Sequence, residues 1–116
     1  MSVAFSGIEN LVVTFQAGTV VVGNPAAMSA NHTVRNAGNG TAPVGIVLNK
    51  RNDHAAVQVK GYAEIGYSGS TAPTLGWNRL VADGSGGLRA AADGETGRSC
   101  LVVSLDTANK KLGLFL

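Results

Sequence analysis

Several side chains in this chain could do chemistry: the carboxylates Asp83, Asp93 and Asp106, the histidines His32 and His54, the thiol Cys100, and the anion-cradle candidate Gly84-Ser85-Gly86-Gly87. Spacing and neighbouring residues limit what each can do. Phosphate cradles place a glycine loop before a helix N-terminus and follow it with Gly-Lys-Ser/Thr. Here Leu88-Arg89-Ala90 follows and reads as a strand, so Asp83-Gly84 is a hairpin turn. The three aspartates all sit at turn signals, where the side chain bonds nearby backbone N–H groups. Asp83 and Asp93 could lie near each other at one end of a barrel, but the turn role outweighs a paired-carboxylate site. Gly66-Tyr-Ser-Gly-Ser70 lacks the Gly-x-Ser-x-Gly spacing of a nucleophile elbow. His32 and His54 stand at metal-ligand spacing neither from each other nor from Cys100. A two-histidine site with Asp53 is the weaker reading, and solvated loop histidines the stronger. Cys100 opens the apolar run Cys100-Leu101-Val102-Val103, where a thiol packs as a small hydrophobe. The expectation is a protein that is not an enzyme, with no catalytic residue, no cofactor and no metal.

Trp77 is the lone tryptophan, set beside Gly76. Core filling is its first reading. An interface anchor is the second, because Trp is enriched at binding hot spots. Tyr62, Tyr67 and Trp77 together could also offer stacking surface to a carbohydrate or other ligand.

The elements that must hold these residues are short strands. Leu11–Phe15 and Thr19–Val22 are β-branched runs bounded by Gly, Asn and Pro. Val44–Asn49 reads as a buried strand. From Ala55 to Ile65 residues alternate, with Val57 and Val59 on one face and Gln58, Lys60, Tyr62 and Glu64 on the other. Gly61 within that run predicts a bend, a bulge or a close backbone approach. Leu80-Val81 and Leu88 flank the Asp83-Gly84 turn. Leu101–Leu105 and Leu112–Leu116 form a final hairpin whose last residue is pinned in the sheet. Only Ala26–Ala30 suggests a short helical turn. The fold class is therefore all-β, a small Gly-rich barrel or sandwich of about eight short strands. Residues 1–10 read as an arm preceding a single β domain over 11–116. Simple fraying of the terminus is the first reading of that arm, and ordering against a neighbour through its apolar residues Val3, Phe5 and Ile8 is the second.

Composition narrows the partners. Charged residues make up 14% of the 116, against ~25% in ordinary soluble domains. Aromatics are 5%, so the core must come from Val, Leu, Ile and Ala. A thin core and a charge-poor surface both favour burial against other chains. The net charge of +2 and two isolated basic dipeptides, Lys50-Arg51 and Lys110-Lys111, are no nucleic-acid footprint. No apolar run approaches the ~20 residues of a membrane span, and no signal peptide is evident. No membrane partner is expected, and synthesis is expected in the cytoplasm. One cysteine allows no intrachain disulfide.

The order Gln16-Ala-Gly-Thr19, Pro25, Gly45-Ile46-Val47-Leu48, Val57–Ala63, Leu75-Gly76-Trp77-Asn78-Arg79-Leu80-Val81-Ala82-Asp83-Gly84, Gly87-Leu88 and a closing hairpin resembles small structural proteins of tailed bacteriophages and prophages. Head decoration, or capsid cement, proteins are the nearest in layout, over roughly Val12–Leu116. The resemblance implies a compact β-rich fold without catalysis. It implies homo-oligomers, trimers foremost, bound to the major capsid protein on the outside of the virion. An N-terminal arm touching the shell would here be Ser2–Asn10. The interface residues expected are Val3, Phe5, Ile8 and Trp77. A tail or neck component, or a small carbohydrate- or ligand-binding β domain, is the alternative.

Overall fold

A computed structural model describes residues 10–116 of the chain. Val3, Phe5 and Ile8 lie outside the described residues. The described chain is all-β, without a helix, and its ten strands fall into two groups. The first is a closed five-stranded barrel. It contains β1 (Leu11–Ala17), β2 (Pro25–Ala30), β3 (Thr33–Asn36), β4 (Gly45–Arg51) and β5 (His54–Lys60), in the order β1-β3-β2-β4-β5. The second is a sheet ordered β6-β10-β9-β7-β8, from β6 (Tyr62–Gly66), β7 (Gly76–Ala82), β8 (Leu88–Ala90), β9 (Arg98–Asp106) and β10 (Lys111–Phe115).

The barrel is built from two tight hairpins closed by β1. β1 runs antiparallel to β5 from Leu11↔Lys60 to Gln16↔His54, and meets β3 in parallel at Gln16↔Thr33 and Ala17↔Val34. The narrow interior takes small side chains: Val20, Ala26, Val34, Val47, Ala55 and Val57. This corrects the helical turn expected over Ala26–Ala30. Ala26 and Ala27 pair with Asn36 and Arg35 of β3 as strand residues. Alanine's helix propensity is a weak prior that tertiary pairing overrides, and a five-stranded barrel has room for little more than a methyl group there. Thr19–Val22 forms no strand. Val20 turns inward, the Asn36 side chain accepts the Val21 N–H at 3.0 Å, and the Thr19 carbonyl accepts the Asn36 N–H at 2.8 Å. The count of ten exceeds the expected eight because Thr19–Val22 drops out, β2 and β3 are gained, and the Ala55–Ile65 strand divides.

The division is at Gly61. The Ala55–Ile65 alternation is two strands, and the chain passes from barrel to second sheet at this residue. Gly61 has φ +115°, a value L side chains rarely adopt, and a Cβ there would collide with the Asn10 side chain. Gln58, expected on the polar face, is buried. Its amide donates to the Tyr62 carbonyl at 2.9 Å, so it ties β5 to the start of β6. Arg98 reaches across the same seam, donating to the Val44 carbonyl at 2.6 Å and the Val59 carbonyl at 2.7 Å.

The second sheet nearly closes on itself. Tyr67, just past β6, bridges Leu88 of β8 in parallel, and the Ser68 N–H donates to the Leu88 carbonyl at 2.9 Å. Inside lie Ile65, Tyr67, Leu80, Leu88, Cys100, Val102, Leu112 and Leu114, joined by Ile46 from the barrel. The two edge strands of the sheet are thus brought together.

Candidate functional site

The turns that might have held chemistry are occupied by their own backbone. Asp83 Oδ1 accepts the N–H groups of Ser85 (2.7 Å) and Gly87 (3.0 Å), and Oδ2 accepts the Ser68 hydroxyl at 2.7 Å. The donors a phosphate would use are taken by this carboxylate. Burial pushes the Asp83 carboxyl up, but the Ser68, Ser85 and Gly87 hydrogen bonds outweigh it and hold the group below its usual range. Asp106 caps the β9–β10 turn in the same way. Asn109 above all, with the Ala108 N–H, holds its carboxyl low.

Asp93 lines a hollow of ≈ 370 Å³ with Gly69, Thr71 and Arg89. Arg89 is already engaged, with both terminal nitrogens 2.7 Å from the two oxygens of Glu95. That fork, helped by the Ala92 N–H, lowers the Glu95 carboxyl to about 2. Arg89 Nε also donates to Asn39 Oδ1 at 3.0 Å, which ties the barrel's Asn39 loop to β8.

The histidine-bearing turns flank the end of β1. Gln16 pairs with His54 on one side, and its N–H donates to the His32 carbonyl on the other. His54 Nδ1 lies 2.9 Å from Asp53 Oδ1, with both residues exposed. Among the described residues no group of three His, Cys, Asp or Glu side chains is placed to hold a metal ion. Cys100 is sealed in the second core, and burial pushes its thiol up, with Arg98 pulling weakly the other way.

The aromatic residues behave differently. Trp77 is not core: it is 74% exposed, and Leu75 beside it is 64% exposed. Tyr67 is buried, so it offers no stacking surface. Following the register across the second sheet, Tyr62 pairs with Phe115, Phe115 with Leu101, and Leu101 with Trp77. Directly opposed residues project from the same face of a sheet. Their neighbours Leu114 and Val102 point into the core, so the row Tyr62–Phe115–Leu101–Trp77 faces outward. It crosses β6, β10, β9 and β7, a span of about 14 Å at ordinary strand spacing.

Both ends of the row are held. At one end the Tyr62 and Phe115 rings meet edge to face, with centroids 5.6 Å apart. The Tyr62 ring crosses Gly113, where a Cβ would strike both its hydroxyl and Ser104 Oγ. That hydroxyl donates to Glu64 at 3.1 Å, and burial, reinforced by Glu64, raises its pKa. At the other end Asn78 clamps the approach to β7. Its Nδ2 donates to the Thr74 carbonyl at 2.6 Å and the Gly76 carbonyl at 3.0 Å, and its Oδ1 accepts the Thr74 N–H. Leu75 and Trp77 are therefore presented on a braced backbone. Exposed polar residues border the row: Arg79, Ser99, Ser104 and Glu64. An aromatic centre inside a polar rim is the anatomy of a protein contact surface.

The barrel also exposes aliphatic side chains: Leu11, Val12, Val21, Val22, Met28 and Leu48. These are spread over three strands and a loop and contain no aromatic residue.

No protein-family model and no curated protein matches the chain.

Proposed function

We propose that this chain is a non-catalytic structural subunit that works in an assembly, as a decoration or cement protein on the outside of a tailed-phage head. It would be made in the host cytoplasm, form homo-oligomers such as trimers, and bind the major capsid protein. The observation that carries the reading is the braced outward row Tyr62–Phe115–Leu101–Trp77 with Leu75 beside it. An aromatic row of this kind is costly to leave in water and is repaid by contact with another chain. The charge-poor composition supports the same reading, and so do turns whose polar groups are spent on structure. A cement subunit acts by mass action: binding only the assembled shell, it opposes disassembly.

The test is light scattering on purified protein with Trp77→Ser beside it, followed by co-sedimentation of both with expanded heads of the phage that encodes the chain. The reading expects an oligomer and shell binding from the native sequence, and loss of both in Trp77→Ser. A native protein that is monomeric throughout and leaves shells unbound would end it.

A second reading, glycan binding, is favoured by one observation: Tyr62 and Trp77 share a face, and Glu64 and Ser104 beside them could bond sugar hydroxyls. Titration of a glycan panel against Trp77 fluorescence decides it. Saturable changes would favour this reading, and an unmoved spectrum would remove it.

A further inference from the structure

We infer that Trp77 of one copy seats in the hollow between β8 and residues 69–71 of a second copy of this chain. The inference rests on the assembly reading above and names both halves of its contact.

The hollow is built from small residues. Ala90, Ala91 and Ala92 line it from β8 and the chain just after, and Gly69, Ser70 and Thr71 line it from the segment that follows β6. That segment runs along the side of β8 away from β7: Tyr67 bridges Leu88, and a Cβ on Gly69 would lie 3.5 Å from Arg89 Cβ. Methyl groups, glycine and short hydroxyl side chains make walls that leave ≈ 370 Å³ open. Pockets that take ring-bearing ligands run roughly 300–1,000 Å³. Arg89 adds a cation to the wall, held in place by its fork with Glu95. Tryptophan is the ring that a cation favours most.

The knob is as firmly made. Asn78 ties down the Thr74–Gly76 backbone, so Leu75 and Trp77 stand out from a fixed support at 64% and 74% exposure. Knob and hollow are neighbours that one copy does not join. The Ala91 N–H donates to the Arg79 carbonyl at 2.9 Å, so Trp77, two residues earlier on β7, starts about 8 Å from Ala91. Strand side chains stand roughly perpendicular to their sheet. The indole therefore leaves along the outward normal, while the hollow lies to the side, beyond β8, with walls that do not include Trp77.

This juxtaposition selects the occupant. A foreign partner would need a cavity for Trp77 and, at the matching distance, a ring for the hollow. A second copy carries both by construction. Closed homo-oligomers repeat one such contact, every subunit giving a knob and receiving one. The contact is then used at least twice, and two indoles with the walls they cover come to roughly 800 Å². Leu75, exposed beside each indole, brings the total to about 1,000 Å², where specific interfaces begin.

The experiment separates knob from hollow. Trp77→Ser removes the knob, and Ala92→Phe fills the hollow, with Ser70→Arg on its exposed wall as a second way to block it. Sedimentation velocity over a dilution series, with far-UV circular dichroism to show native folding, should find each variant monomeric where the native chain is oligomeric. Trp77→Ser, with an open hollow, is then titrated into Ala92→Phe or Ser70→Arg, which carries the only tryptophan in the mixture. The two should form a 1:1 pair, weaker than the native contact, as Trp77 emission shifts blue. Trp77→Ser/Ala92→Phe, lacking both halves, should leave that emission unmoved. Three outcomes overturn the inference and leave the assembly reading standing: both filled variants remain as oligomeric as the native chain, the mixture stays monomeric with unmoved emission, or the double variant shifts the emission as Trp77→Ser does. A native chain that is monomeric at all concentrations ends the assembly reading as well.

Discussion

The barrel and the second sheet solve the same problem, closing five strands, with different side chains. The barrel completes its hydrogen-bonded circuit and fills a narrow bore with Val and Ala. The second sheet closes through the single Tyr67–Leu88 bridge and holds a fatter core of Leu80, Leu88, Leu112, Leu114, Ile65 and Tyr67. Their surfaces differ as well. The barrel scatters aliphatic residues, whereas the second sheet lines its outward-facing aromatic residues, with Leu101, into one row. The lesson is a division of labour: full backbone closure lets the barrel do without large core residues, and the bulkier sheet carries the contact face.

The sharpest way to break the comparison is to hollow both cores. Leu114→Ala in the second core should cost about 3–4 kcal/mol in urea unfolding, because a large side chain leaves a cavity. Val57→Ala in the barrel should cost less, about 2 kcal/mol, since fewer buried carbons are lost. Equal losses, or a reversed order, would show that the larger side chains of the second core do not make it the costlier one to hollow.

Asp83→Ala comes next. It strips three acceptor contacts from the β7–β8 turn and should cost about 1–2 kcal/mol, whereas exposed Asp93→Ala should change little. Paired thermal melts of the two variants check this contrast. A still smaller effect is pH dependence. Glu95 is held at about 2, below its ordinary 4.5, and Asp83 and Asp106 are also held low. A depressed carboxyl contributes stability that is present above its unfolded value and lost as pH falls through its folded one. The melting temperature should therefore decline between about pH 4.5 and pH 2, and Glu95→Gln should flatten part of that decline. The smallest stability effect belongs to Trp77→Ser, within ~0.5 kcal/mol in the monomer, because an exposed side chain holds little of the fold.

Much of this fold could be read from local signals. The Asp83-Gly84 hairpin, the Asp106–Lys111 turn, the all-β class and the irregularity at Gly61 each rest on a few adjacent residues. The Ala26–Ala30 strand was hidden because alanine carries no β signal, and only pairing with β3 makes it extended. Gln58 reads as a polar-face residue, and the roles of Gln58 and Arg98 at the seam depend on carbonyls from other elements. The contact row was the least legible. Tyr62, Trp77, Leu101 and Phe115 are far apart in sequence and become neighbours only through the β6-β10-β9-β7 order, with the register offset by a bulge near Gly113. Trp77 beside a glycine gave no sign of which face it would take.

The central claim is that the outer face of the second sheet is where this chain joins others. Sedimentation velocity of the native protein and Trp77→Ser, at matched concentrations and with matched circular dichroism, tests it most directly. The account predicts a native oligomer and a folded Trp77→Ser monomer. An unchanged oligomer in Trp77→Ser would contradict it.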